Sequence, residues 1–134
     1  LPFTLLRQVQ DIGALGLSDA KLQAIRELGY GTNGKVIAGT TARPWRDPQV
    51  RQAKRRRLPV PSSGMFYTDL GMQCVWDTGL HQPGESGVLT NYLGGDAGTG
   101  ETDGRRNAFQ FQMEQFVPGV ESVWDVEAQA QIFW

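Results

Sequence analysis

Apolar and polar positions fall into short blocks along the chain, and each block predicts one element. Leu1–Leu6 (LPFTLL) is nearly all apolar, and Pro2 confines it to a sheet edge or a strand start, so a short extended segment is predicted there. Ser18 is a good N-cap, with Leu17 and Leu22 spaced to staple across it. The helix that follows is predicted from about Asp19 to Leu28, with Leu22, Ile25 and Leu28 on one face and Gly29 as its stop. Gly31–Gly34 predicts a turn, and the β-branched run Lys35–Thr41 a strand. Leu70, Met72, Cys74 and Trp76 alternate with Gly71, Gln73, Val75 and Asp77, the pattern of a half-buried strand. Val88–Leu93 predicts another strand. Gly94–Gly104 reads as a loop. Asp103 is placed to cap a second helix from about Gly104 to Phe116, whose buried face carries Phe109, Met113 and Phe116. Pro118-Gly119 ends that helix, and Val126, Ala128, Ala130 and Ile132 alternate with polar neighbours in a last strand. Five or so strands and two helices, unevenly spaced, make an α+β layer with a mixed or antiparallel sheet.

Composition narrows the class. The 134 residues fit a single domain, 1–134, and should bury roughly two-thirds of the unfolded surface. With 40% apolar and 20% charged residues the chain is not a disordered one. One cysteine excludes an intramolecular disulfide, so nothing points to an oxidising compartment and a cytoplasmic setting is slightly favoured. One His and one Cys are too few for a zinc site of the usual N/S type, and no metal is expected. No apolar run reaches the ~18 residues of a membrane span. A net charge of −1 argues against nucleic acid as the main partner. The apolar ends, Leu1–Leu6 and Ile132-Phe133-Trp134, read as the inside of something larger, and an excised piece of a longer protein is expected.

Several motifs come close to known chemistry. Gly29–Lys35 (GYGTNGK) fits the first part of a phosphate loop, but Val36 stands where a magnesium-binding hydroxyl is required, and the order helix, turn, strand is reversed. Gly98-Thr99-Gly100 with Gly104 misses the dinucleotide fingerprint by one residue and reads as a strand-to-helix connection. Gly84-Glu85-Ser86-Gly87 is no nucleophile elbow. Residues 46–64 carry six positive charges, Arg46, Arg51, Lys54, Arg55, Arg56 and Arg57, against one from Asp47, broken up by prolines. With no aromatic interleaved, that run reads as a solvated loop. Lys35 follows a glycine-rich turn at the mouth of a strand. Position alone makes it a surface lysine; turned inward, it would snorkel or take part in chemistry. Trp45, Trp76, Trp124 and Trp134, with Phe66, Tyr67 and Tyr92, supply a core and enough aromatic surface to hold an amine by cation–π contact.

Three blocks, in this order and spacing, carry a resemblance that covers nearly the whole chain. They are Leu1–Leu6; Ala24–Val36 (AIRELGYGTNGKV), running on to Arg43–Arg46 (RPWR); and Gln82–Gly95 (QPGESGVLTNYLGG). Together they resemble the substrate domain of flavin-containing amine oxidases, a family that includes monoamine, polyamine and L-amino acid oxidases. The resemblance implies an FAD enzyme that moves a hydride from the carbon bearing the amine to flavin N5, with O2 reduced to H2O2. It implies a mixed sheet of about six strands flanked by helices, with Leu1–Leu6 at the end of a strand. It implies that Lys35 is the counterpart of the lysine that holds a water near flavin N5, a catalytic and cofactor-contacting role. Strand 70–77 would line the substrate cavity, so Gln73, Val75 or Trp76 would contact the amine or amino acid substrate. The dinucleotide fingerprint that grips the FAD diphosphate has no match here. The implied arrangement is a fragment that works with the remainder of the parent chain and is inactive alone. The competing reading is a non-catalytic α+β binding or interaction module.

Overall fold

A computed structural model describes residues 2–47, 63–99 and 103–133. These fall into two compact units divided after Gly31. The basic loop expected at Arg51–Arg57 lies outside the described residues.

In the first unit, Phe3–Leu6 forms a single helical turn, α1, where an extended segment was expected. Pro2 stands just outside that turn and its carbonyl accepts from Leu5 and Leu6, so the proline opens a helix rather than a strand. A 3₁₀ turn covers Ile12–Leu15, and α2 runs Asp19–Glu27 behind Ser18. Helix α2 is not stopped by a left-handed glycine. Leu28 turns extended, and the Arg7 guanidinium supplies donors to the terminal carbonyls, Nε to Ile25 O at 2.6 Å and Nη2 to Leu28 O at 2.5 Å. The rings of Phe3 and Tyr30 meet at 5.9 Å.

The second unit is one five-stranded sheet with a helix on one face. In chain order the strands are β1 (Asn33–Thr40), β2 (Phe66–Tyr67), β3 (Cys74–Asp77), β4 (Gly87–Gly94) and β5 (Trp124–Phe133), and α3 covers Asp103–Phe116. The order across the sheet is β2-β3-β4-β1-β5, and among the described residues all four pairings are antiparallel, the second of the two arrangements expected for this α+β layer. Alternate residues of β1 serve opposite faces. Val36 and Ala38 are buried against Phe109 and Met113 of α3, together with Leu89, Leu93 and Val75. Trp124 closes this core edge-on to Phe109, with ring centroids 5.3 Å apart.

Two local features reshape the predicted strands. The strand expected from Leu70 begins only at Cys74, because Gln73 is left-handed (φ 49°) and Leu70–Gln73 closes as a turn, Gln73 N to Leu70 O at 3.0 Å. On β5 the register jumps, so that Ala38 faces Gln129 but Gly39 faces Asp125. The residues between bulge out, and Asp125 Oδ1 accepts from the N–H groups of Glu127 (3.0 Å) and Ala128 (3.2 Å).

The RPWR block clamps the sheet's other end. Trp45 is fully buried, and its Nε1 donates to Asp77 Oδ2 at 2.8 Å. Arg46 reaches the same oxygen at 2.5 Å and the Leu80 carbonyl at 2.7 Å. Arg43 donates from Nε to Ser86 O at 2.6 Å. Gly64 (φ 78°) lies so close that a Cβ there would stand 2.6 Å from Asp77 Cβ and 3.0 Å from the indole, which only glycine permits.

Candidate functional site on the half-exposed sheet face

The residues of β1 that α3 does not cover are Asn33, Lys35, Ile37 and Gly39. Register gives each its cross-strand neighbours on the same face. Lys35 stands between Tyr92 of β4 and Ile132 of β5, and Tyr92 is in turn opposite Cys74 of β3. One pair along, Ile37 stands between Thr90 and Ala130, and Thr90 faces Trp76. The two rows are half-buried at Lys35, Ile37, Cys74, Trp76 and Tyr92, and exposed at Ala130 and Ile132.

The face is built to hold its aromatics in place. Trp76 and Tyr92 meet with ring centroids 6.3 Å apart and planes at 36°. Tyr92 Oη donates to Asn33 Oδ1 at 2.6 Å, which fixes the phenol at one end of the row. The hydroxyls of Thr78 and Thr90 bond to each other at 2.6 Å, which fixes the other. An aromatic pair beside a lysine on a half-buried sheet surface can take the flat, apolar part of a ligand and offer N–H donors to its polar edge.

The expected site residues part company here. Lys35 and Trp76 share this face. Val75 points to the other side and is wholly buried in the core, because a strand of period two cannot aim neighbours the same way. Gln73 is a tie between segments. Its amide accepts from Gly94 N at 2.9 Å and donates to Gly94 O at 3.4 Å, holding the turn before β3 against the end of β4. Sequence reasoning missed Asn33 and Thr90 and left Tyr92 as one of many aromatics. Alternation marks which residues share a face within a strand, but only the pairing of β1 with β4 brings these to Lys35.

Of the near-fingerprint glycines, Gly98 serves packing. A Cβ on Gly98 would lie 2.8 Å from the Thr32 carbonyl and 3.0 Å from the Leu93 carbonyl, so glycine lets the 3₁₀ turn Gly95–Gly98 press against two strand ends. A cavity of about 150 Å³ lies under α3, with Met72, Asn91, Arg105 and Gln112 among its walls. Among the described residues, no three His, Cys, Asp or Glu side chains gather as metal ligands, and no helix is long and apolar enough to cross a membrane.

The family model of the flavin-containing amine oxidoreductases matches residues 2–132. The chain belongs to that family. Among solved structures, it is similar to a double mutant of putrescine oxidase made in a redesign of cofactor binding, with 16% identity and a TM-score of 0.60. The match covers 87% of this chain and 24% of that one, so the chain spans about a quarter of its neighbour. At that identity the likeness shows the fold: the antiparallel sheet with its helix is a part of the amine oxidase fold. No curated protein matches the chain. Membership in this family implies a flavin cofactor. The face just described is compatible with a flavin's polar edge, since the Lys35 ammonium carries N–H donors of the kind that match the lone pair of a ring nitrogen.

Proposed function

We propose that the chain is one wall of the active site of an FAD-dependent amine oxidase, and that this wall is the sheet face bearing Lys35, Trp76 and Tyr92. The observation that carries the reading is the register of β1, which sets Lys35 beside Tyr92, with Trp76 against the same ring, on the face that α3 leaves uncovered. When bound, FAD supplies the acceptor for the hydride lost from the carbon bearing the amine; the imine hydrolyses to a carbonyl and ammonia or a smaller amine, and O2 takes the electrons to give H2O2.

The chain's own residues have three tasks in this reading. Lys35 directs positive charge and an N–H donor, with a water held on it, toward the reacting edge. Trp76 and Tyr92 exclude water and give the substrate a flat surface to lie on. Asn33 keeps Tyr92 in place through the phenol. Residues 1–134 act as a single substrate-binding domain alongside the remainder of the parent chain. The isolated fragment is inert, because much of flavin affinity comes from gripping the diphosphate, and the glycine turn that comes nearest to such a motif is engaged in packing.

The test is spectroscopic. The parent enzyme should show a flavin absorbance that an amine bleaches in the absence of oxygen. A colourless parent that takes up no added FAD overturns the reading. Amine-dependent peroxide from the 134-residue chain by itself would overturn only its inertness.

A further inference from the structure

The side of the sheet that α3 covers is not filled throughout. A cavity of about 150 Å³ remains there, with Met72, Leu93, Ala97 and Phe109 as its apolar walls. An apolar cavity of about this volume is large enough to take up one benzene ring. Its polar groups are not alike. Gln112 Oε1 is engaged by the Met72 N–H at 2.8 Å, and the Arg105 guanidinium donates to the carbonyls of Ala97 and Asp96. Asn91 differs. Pairing with the buried Val36 and Val75 sets it on the α3 side of β4. It is 2% exposed, it forms part of the cavity wall, and its Oδ1 accepts no hydrogen bond among the described residues. A buried acceptor left in that state is costly, and a ligand that donates to it removes the cost.

An ammonium here would lie beside the Arg105 guanidinium, and an anion would leave the Asn91 oxygen unanswered. A hydroxyl both donates and accepts, so it serves the Asn91 amide whichever way that amide is turned. We propose that this cavity is a binding site for a small neutral aromatic alcohol, with the ring against Met72 and Phe109 and the hydroxyl on the Asn91 amide. Gly71 and Ala108, both exposed, mark its mouth. The site stands apart from the active-site reading, since α3 lies on the opposite face of the sheet from Lys35.

Calorimetric titration of the parent enzyme with phenol and with toluene tests this, because the two are close in size and differ in the hydroxyl. Phenol should bind with a Kd of about 1 mM or below, and no binding overturns the inference. Asn91→Leu keeps a branched side chain of similar shape and removes the amide. It should lower the affinity for phenol relative to toluene by roughly tenfold, the size of a hydrogen bond to a buried acceptor, and an unchanged ratio overturns the role given to Asn91. Ala108→Phe closes the mouth from an exposed position of α3 and leaves the core alone. It should weaken phenol by at least roughly tenfold, since the added ring takes the space that the ligand needs. Phenol binding that Trp76→Ala abolishes and Ala108→Phe leaves intact belongs to the face of Lys35 and overturns the inference, with the active-site reading left standing.

Discussion

The two faces of the sheet are separated by a single step along β1, and they do opposite work. Val36 and Ala38, 1% and 0% exposed, meet Phe109 and Met113 at close packing. Lys35 and Ile37, one residue before each, stay half-buried among Tyr92, Thr90 and the exposed side of β5. The first face is closed because α3 lies on it, and its side chains are held by density. The second is pinned by hydrogen bonds between side-chain tips, Tyr92 to Asn33 and Thr90 to Thr78, which fix orientation and leave surface free. The same five strands therefore divide stability from recognition, and a one-residue slip in register would exchange the two.

The sharpest way to break this division is to compare losses of stability on the two sides. Asp77 is buried and accepts from the Trp45 indole, the Arg46 guanidinium and the Gly79 N–H. Asp77→Ala leaves those donors without an acceptor and should cost about 4 kcal/mol, read as a lower urea midpoint with an unchanged slope. Asp77→Asn keeps an acceptor oxygen and should lose about half as much. On the closed face, Phe109→Ala should cost about 3 kcal/mol through the cavity it leaves. Trp76→Ala on the other face removes a larger ring and yet should cost no more than about 1.5 kcal/mol, since half-buried rings recover little from packing. Equal losses at Phe109 and Trp76 would mean that both faces are core, and the site would have to be sought elsewhere.

The closed face also has a flaw that sharpens the comparison. Asn91 is 2% exposed on the α3 side of β4, lines the cavity there, and its Oδ1 accepts no hydrogen bond from the protein. Asn91→Leu removes a buried acceptor and fills space, so it should raise stability by about 1 kcal/mol. A fall of the same size would show that the amide is satisfied within the cavity and that the polar group belongs there.

What the chain reveals without its structure depends on how local the cause is. Helix α3 is legible from Phe109, Met113 and Phe116, and β1 and β4 from β-branched runs, since three or four neighbouring residues decide each. The turn at Leu70–Gln73 was hidden because apolar alternation continues straight through it, while one left-handed residue breaks the strand. On β5, the alternation of Val126, Ala128, Ala130 and Ile132 with polar neighbours predicts one unbroken strand. The bulge at Asp125–Ala128 splits it, and Ala130 and Ile132 turn to the Lys35 side, with Gln129 and Gln131 toward α3. The site was legible in part. Lys35 and Trp76 came from the family resemblance. That Val75 faces away from Trp76 follows from period two, but which of them meets the core does not. Tyr92 lies 57 positions beyond Lys35 in the chain and becomes its neighbour only through register, which no local pattern encodes.

Lys35→Met isolates the function of the half-exposed face from its contribution to the fold. Methionine keeps most of the aliphatic stem between Tyr92 and Ile132 and removes the ammonium. Because the side chain is half-buried on a face held by its aromatic and hydroxyl tips, stability should change by less than about 1 kcal/mol, the smallest shift of the set. If Lys35 serves the reacting edge, flavin reduction by amine or reoxidation by O2 should slow by roughly a hundredfold in the parent enzyme, the size expected for a lost charge-bearing donor. Stopped-flow absorbance separates the two half-reactions. A variant that is stable, binds flavin and turns over at the normal rate would make Lys35 a surface lysine after all, as its position alone suggests. A variant that loses several kcal/mol would place it with the core, and the contrast between the two faces would fail at its central residue.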